Sequence, residues 1–164
     1  MSIKKTIILG IDPGLADTGY GVLSKTGSRL QFIACGSIQT SAREIFSKRL
    51  EKIYRAVEEL IRKYQPDLVA VEKLYFAKNV KTALDVGQAR GVALLAICRW
   101  HKPILEFTPL QVKQSVTGSG AAVKRQVGLM VKTLLGLKTV PSPDDAADAL
   151  AVALTAAFTN SRLV

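Results

Sequence analysis

Apolar residues in this chain come in blocks whose spacing shifts between the periods of strand and helix, and the order of those blocks outlines a fold. Thr6 to Asp12 (TIILGID) is a nearly continuous apolar run stopped by Pro13-Gly14, the pattern of a buried central strand closed by a turn. Gly19 to Ser24 and Leu30 to Ile38 follow at short spacing. The second of these sets Leu30, Phe32 and Ala34 against Gln31, Cys35 and Ser37, with Ile33 as the exception. Short connections between three strands predict an antiparallel meander.

The period then lengthens. Phe46, Leu50, Ile53, Val57, Leu60, Ile61 and Tyr64 mark one face of an amphipathic helix from Ser41 to Tyr64, with Ser41 and Glu44 as a capping box and Pro66 as the stop. Asp67 to Glu72 (DLVAVE) is a short, valine-rich second buried strand. A strand reached through a helix runs parallel to its sheet neighbour by a right-handed crossover. Beside Thr6 to Asp12 it would bring Asp12 and Glu72 to the same sheet edge, one strand spacing apart at roughly 5 Å.

Thr82 to Arg99 reads as a helix despite Gly87 and Gly91. Each glycine costs about 1 kcal/mol against alanine, so the pair points to close approach by the sheet or by a second subunit. Pro103 to Phe107 predicts a third crossover strand. Pro109 to Val116 and Ala122 to Leu135 are helical patterns joined by the flexible Thr117-Gly118-Ser119-Gly120. A final alanine-rich helix runs to about Phe158, with Ser142 expected as its N-cap and Pro143 at its first position. The whole reads as one α/β domain over residues 1–164, with a mixed five-stranded sheet (three antiparallel strands, then two parallel by crossover) flanked by helices.

Composition narrows the partners. The 164 residues are 48% hydrophobic and 22% charged, ordinary for a folded domain and too rich in core residues for disorder. Lys and Arg number 23 against 13 acids, a net charge of +10 that favours an anionic partner, nucleic acid or an acidic membrane surface. The apolar run near the start, Ile7 to Leu9, is too short for a signal peptide or a membrane span, so the expected location is cytoplasmic, without a membrane partner. Cys35 and Cys98 lack any C-x-x-C spacing and read as two buried thiols in a reducing compartment. A solitary His101 argues against zinc.

Against that positive background four acids stand out. Asp12 and Glu72 each close a buried strand, and Asp145 and Asp148 share a helix face at i, i+3 among Ala146, Ala147, Ala149 and Leu150. Asp145, with Asp144, also suits the positive end of a helix dipole, and Asp-Pro-Gly is a common turn, so each has a structural explanation too. Glu72 has no equally good one. Carboxylates gathered at one sheet edge repel each other without a cation, so the cluster and a magnesium site stand or fall together.

Ile8 to Val22 (ILGIDPGLADTGYGV), Val71 to Asn79 (VEKLYFAKN), Gly87 to Val92 (GQARGV), Gln111 to Gln114 (QVKQ) and Asp145 to Ala151 (DAADALA) resemble, in order and spacing, the RuvC family of Holliday junction resolvases. The resemblance implies a ribonuclease H-like fold, a homodimer, and a magnesium-dependent endonuclease that resolves four-way DNA junctions. It implies nicks in two strands of like polarity, leaving 5′-phosphate and 3′-hydroxyl ends, in recombination and repair. It assigns the metal-binding, catalytic acids to Asp12, Glu72, Asp145 and Asp148, holding two Mg2+ ions for which Mn2+ can substitute, with Asp12 bridging. Lys113 and Lys124 fall at family lysines linked to phosphate handling, and Arg125 adjoins the second. Tyr75 aligns with an aromatic that stacks on the opened junction, where stacking is worth about 1–3 kcal/mol per base. Phe76 is equally suited to stacking or to core packing, and Lys73 and Lys78 flank the pair. RuvA and RuvB branch-migration proteins are implied partners. The residues alone leave room for a ribonuclease H-like nuclease acting on RNA or other branched DNA, for a non-catalytic junction binder, and for one domain of an actin-like ATPase or sugar kinase. That last fold needs two such domains, and the chain has room for one.

Overall fold

The computed structural model describes residues 4–74 and 80–159. Strands β1 (Lys5–Asp12), β2 (Asp17–Thr26) and β3 (Arg29–Gln39) are followed by helix α1 (Phe46–Tyr64), strand β4 (Leu68–Glu72), helix α2 (Val80–Arg99), strand β5 (Ile104–Phe107) and helices α3 (Pro109–Thr117), α4 (Lys124–Leu134) and α5 (Asp144–Thr159). The sheet runs β3-β2-β1-β4-β5, antiparallel across β1 to β3 and parallel from β1 through β4 to β5. This is the mixed sheet that the apolar blocks predict.

Alternation along the strands deals their side chains to two helical layers. Ile8, Leu23, Leu68 and Ala70 pack with Val112, Val131, Leu150 and Leu154 from α3, α4 and α5. Leu9, Ile11, Val22, Val69 and Val71 pack on the other face with Ile53, Val57, Ile61, Ala93 and Ile97 from α1 and α2. Parity therefore turns Gly10 and Asp12 on β1, and Glu72 on β4, toward α5. Gly10 confirms the count, since a Cβ built there would overlap the Ala149 carbonyl and the Ala153 backbone nitrogen.

Glycines also decide how near α5 comes. A Cβ on Gly19 would overlap the Asp145 carbonyl oxygen, and one on Gly21 would lie 2.7 Å from Leu150 Cγ and 2.7 Å from its backbone nitrogen. Gly10, Gly19 and Gly21 thus form a bare track across β1 and β2 on which the alanine-rich helix rests. The α2 glycines do not have this role. A Cβ on Gly87 would make an ordinary 3.5 Å contact with Leu74, and one on Gly91 would meet nothing within 4 Å.

Other expectations shift in detail. Helix α1 starts at Phe46 rather than beside Ser41, because Ser41 closes a turn of its own, accepting from Glu44 N at 3.1 Å and, through Oγ, from Arg43 N at 3.2 Å. Helix α5 starts at Asp144, with the Pro143 carbonyl accepting from Ala146 at 3.0 Å, so Ser142 is not its cap. Ile33, the exception to alternation, is skipped in the pairing of β3 with β2, where Val22 faces Ala34 and Leu23 faces Phe32. The bulge reverses parity and puts Leu30 and Cys35 against one core and Ala34 against the other. Cys98 is exposed rather than buried, on the outer side of α2, while Cys35 is half-buried.

Replacing Gly21 by alanine forces a methyl into the Leu150 backbone, an overpacking of the kind that costs about 1–3 kcal/mol. A lower urea midpoint for Gly21→Ala, with an unchanged denaturant slope, is the expected result.

Candidate active site

The parallel register of β1 and β4 pairs Ile8 with Leu68 and Ile11 with Val71, so one further step sets Asp12 opposite Glu72. Their carboxyl groups are close enough for each to shift the titration of the other. Across β1's other edge Asp12 pairs with Gly19, the glycine on which Asp145 rests. One helical turn on, Asp148 joins them. Carboxylate oxygens of Asp12, Asp145 and Asp148 lie within 4.8 Å of one another, and Glu72 is tied to this trio through Asp12. Asp12, Asp145 and Asp148 meet at the carboxyl edge of the sheet beneath the first turns of α5, and Glu72 lies beside Asp12 at the end of the next strand.

Their electrostatics is that of negative charges short of counter-charge. The Asp12 carboxyl is pushed up to about 8, first by burial and then by the charges of Glu72 and Asp148. Glu72 is raised as well, chiefly by burial, although Asp12 and the nearby Lys124 and Lys113 pull the other way. The two carboxyls titrate as a pair, and both hold a proton more readily than a free carboxylate does. Burial also raises Asp145.

Lys124, at the first position of α4, reaches in to Asp148 Oδ2 at 2.8 Å, and that bond raises its own pKa. This salt link neutralises one acid of four and leaves the cluster anionic. Lys113, half-buried on α3, lies close enough to Glu72 to favour its ionised form. Arg125 is exposed beside Lys124, and Lys73 is exposed just after Glu72. Tyr75, Phe76 and Lys78 lie outside the described residues.

Two neighbours escaped sequence reasoning. Asp17, which accepts from Ser37 Oγ at 3.0 Å, adds negative charge beside Asp145. Arg90 of α2 donates from Nε to the Glu72 carbonyl oxygen at 3.1 Å and pairs through Nη2 with Glu106 of β5. The GQARG stretch was the only available signal for Arg90, and its glycines drew attention instead.

The donor set suits a hard divalent cation. The three groups brought within ligating distance are carboxylates, as is Glu72 beside them, and no histidine or cysteine joins them among the described residues. No helix among those residues is long and apolar enough to cross a membrane.

In cation-free buffer the raised Asp12 carboxyl ties stability to pH. The folded chain keeps the Asp12 proton up to about pH 8, whereas an unperturbed aspartate loses it near 3.8. Between those values the folded state binds the extra proton, so this group's contribution to stability is greatest at the acid end and declines as pH rises toward 8. Urea midpoints measured in chelator should show this decline, and Asp12→Asn should flatten it; an equal slope in both proteins would refute the assignment.

Comparison with known proteins agrees with this geometry. The family profile described as RuvC, crossover junction endodeoxyribonuclease RuvC, matches residues 8–156. Crossover junction endodeoxyribonuclease RuvC of Rubrobacter xylanophilus is 53% identical over 159 residues, which span 97% of this chain and 89% of the relative. Its counterpart from Natranaerobius thermophilus is 54% identical over 148 residues, 90% of this chain and 92% of the relative. Among solved structures, Thermus thermophilus RuvC in complex with a Holliday junction substrate superposes with a TM-score of 0.90 at 37% identity, covering 96% of each chain. The yeast mitochondrial Holliday junction resolvase Ydc2 shares the fold, with a TM-score of 0.68 at 16% identity over 95% of this chain and 83% of that one. With its ribonuclease H-like α/β fold, this chain belongs to the RuvC family of crossover junction endodeoxyribonucleases.

Proposed function

We propose that this protein resolves four-way DNA junctions by symmetric, magnesium-dependent nicking of two strands of like polarity, leaving 5′-phosphate and 3′-hydroxyl ends, in recombination and repair. The convergence of Asp12, Asp145 and Asp148, with Glu72 beside Asp12, at one sheet edge is the observation that carries this reading. Two Mg2+ ions, or Mn2+ in their place, would be held by these four acids. When bound, such a pair supplies Lewis-acid activation of water and stabilises the departing oxygen of an in-line displacement.

The chain's own groups do the rest. Asp12 and Glu72, both raised by burial, would have to be ionised to hold a cation, and the cation would supply the charge that favours their ionised forms. Lys124, exposed over most of its side chain, exchanges Asp148 for a substrate phosphate. Lys113 steadies the charge on Glu72 and meets the backbone beside it. Arg125 and Lys73 extend the basic path, and Tyr75, Phe76 and Lys78 follow directly in the chain to stack on and hold the opened junction.

Paired cuts need two sites. The outer stripe of α2 is suited to contact between two copies: Leu84 is 62% exposed, Leu95 is 55% exposed, and Gly91 between them faces open space. In this reading each protomer of a cytoplasmic homodimer cuts one strand, and RuvA and RuvB drive the branch point toward it.

A synthetic four-way junction with Mg2+ should yield paired nicks, while a linear duplex and an RNA–DNA hybrid should stay intact. Asp12→Asn should cut at least a hundredfold more slowly with junction binding retained in a mobility-shift assay; normal cutting by that variant would remove the site. A charge on the α2 stripe, Leu95→Glu, should leave folded protomers by sedimentation and uncouple the two nicks. Dimers of unchanged mass would place the subunit contact elsewhere.

A further inference from the structure

Strand β4 ends where the site begins, and something must hold its last residue in place. Glu72 is the last residue of a five-residue strand. On one side the register with β1 positions it. On the other, Lys73 N donates to the Phe107 carbonyl at 2.8 Å. The Glu72 carbonyl receives Arg90 Nε at 3.1 Å, while the same guanidinium grips Glu106 on β5 through Nη2. The Arg90 side chain is 20% exposed, so water competes poorly for these bonds.

From this geometry we infer that Arg90 is a positioning residue for Glu72: its guanidinium, anchored on Glu106, fixes the Glu72 main chain and so aims the carboxylate at Asp12. The rigid fork of arginine suits this task, since two different nitrogens serve two different strands at once. A lysine ammonium is a point charge and keeps one of the two contacts well. Helix α2, which carries Arg90, packs on α1 and not on α5, so the device reaches the site from the face opposite Asp145 and Asp148. A ligand misplaced by about 1 Å is enough to slow chemistry on the order of a hundredfold.

The inference rests on the nuclease reading, and a double-mutant cycle separates the two. Wild type, Arg90→Met, Glu72→Gln and the double variant are compared for Mn2+ binding by calorimetry and, with Mg2+, for kcat and KM on a four-way junction. Arg90→Met should weaken Mn2+ binding several-fold and lower kcat about ten- to a hundredfold with KM unchanged, and in the Glu72→Gln background it should weaken binding no further. Glu106→Gln, which weakens the anchor but leaves the carbonyl bond in place, should lower kcat less than Arg90→Met does, and Arg90→Lys should restore part of the loss. If Arg90→Met does not fold, Arg90→Lys alone is carried through the same cycle. Additive losses in the double variant, a wild-type kcat for Arg90→Met, or an equal fall for Glu106→Gln would each overturn the positioning role. Unchanged Mn2+ binding by Glu72→Gln would overturn it too, and the acid site with it.

Discussion

The approach of α5 to the sheet is the constraint on which the site depends. Helices normally stand off a sheet by the depth of two side-chain layers, about 10 Å. Here Gly10, Gly19 and Gly21 remove the sheet's layer, and Ala146, Ala149 and Ala153 thin the helix's, so backbone meets backbone. Short aspartate side chains at 145 and 148 then reach Asp12, which a helix at ordinary distance would not permit. The same track explains why α5 is so apolar: every residue from Ala149 to Ala157 is buried, and the helix is closer to a central strut than to a surface element.

Tight packing brings the acids together, and their repulsion has to be met. Without a cation the protein uses two devices. Burial and mutual repulsion raise Asp12 and Glu72 so that the pair holds a proton more readily, and Lys124 lends its ammonium to Asp148. Neither is a buried, fully satisfied ion pair. Lys124 is 65% exposed, so the link to Asp148 is weakened by water and easily exchanged. Both devices are reversible, as a site that must alternate between empty and loaded requires.

Much of this was legible in the sequence because it depends on local pattern. Continuous apolar runs ending in Asp12 and Glu72 identify parallel neighbours, and strand parity then turns both acids to one face. Spacing of i, i+3 among alanines pairs Asp145 with Asp148. What was not legible depends on contacts between segments distant in the chain. The glycines that permit close approach were the strand ones, not Gly87 and Gly91, because a glycine's partner is set by tertiary packing. The Ser41 motif had the composition of a capping box, yet the chain used it as a turn and began α1 at Phe46, where the core face starts. Cys98 reads as core until α2 is seen to turn that side outward with Leu95. Arg90, one of 23 basic residues, gave no sign that its partner was a main-chain oxygen of Glu72.

A ligand must be deprotonated to bind a metal, so on the proposed reading a cation held by Asp12 would displace its proton, and apparent affinity would fall as pH drops below the value near 8 to which that carboxyl is raised. Lys124 acts in the same direction, since its ammonium occupies Asp148 until something else draws it away. A phosphate group, being anionic, is the natural competitor. On the proposed reading, DNA that drew Lys124 onto its backbone would release Asp148 to a cation, and a cation that neutralised the acids would let the phosphate approach. Each event would assist the other because the obstacle to each is the charge that the other supplies, and a net charge of +10 favours an anionic partner.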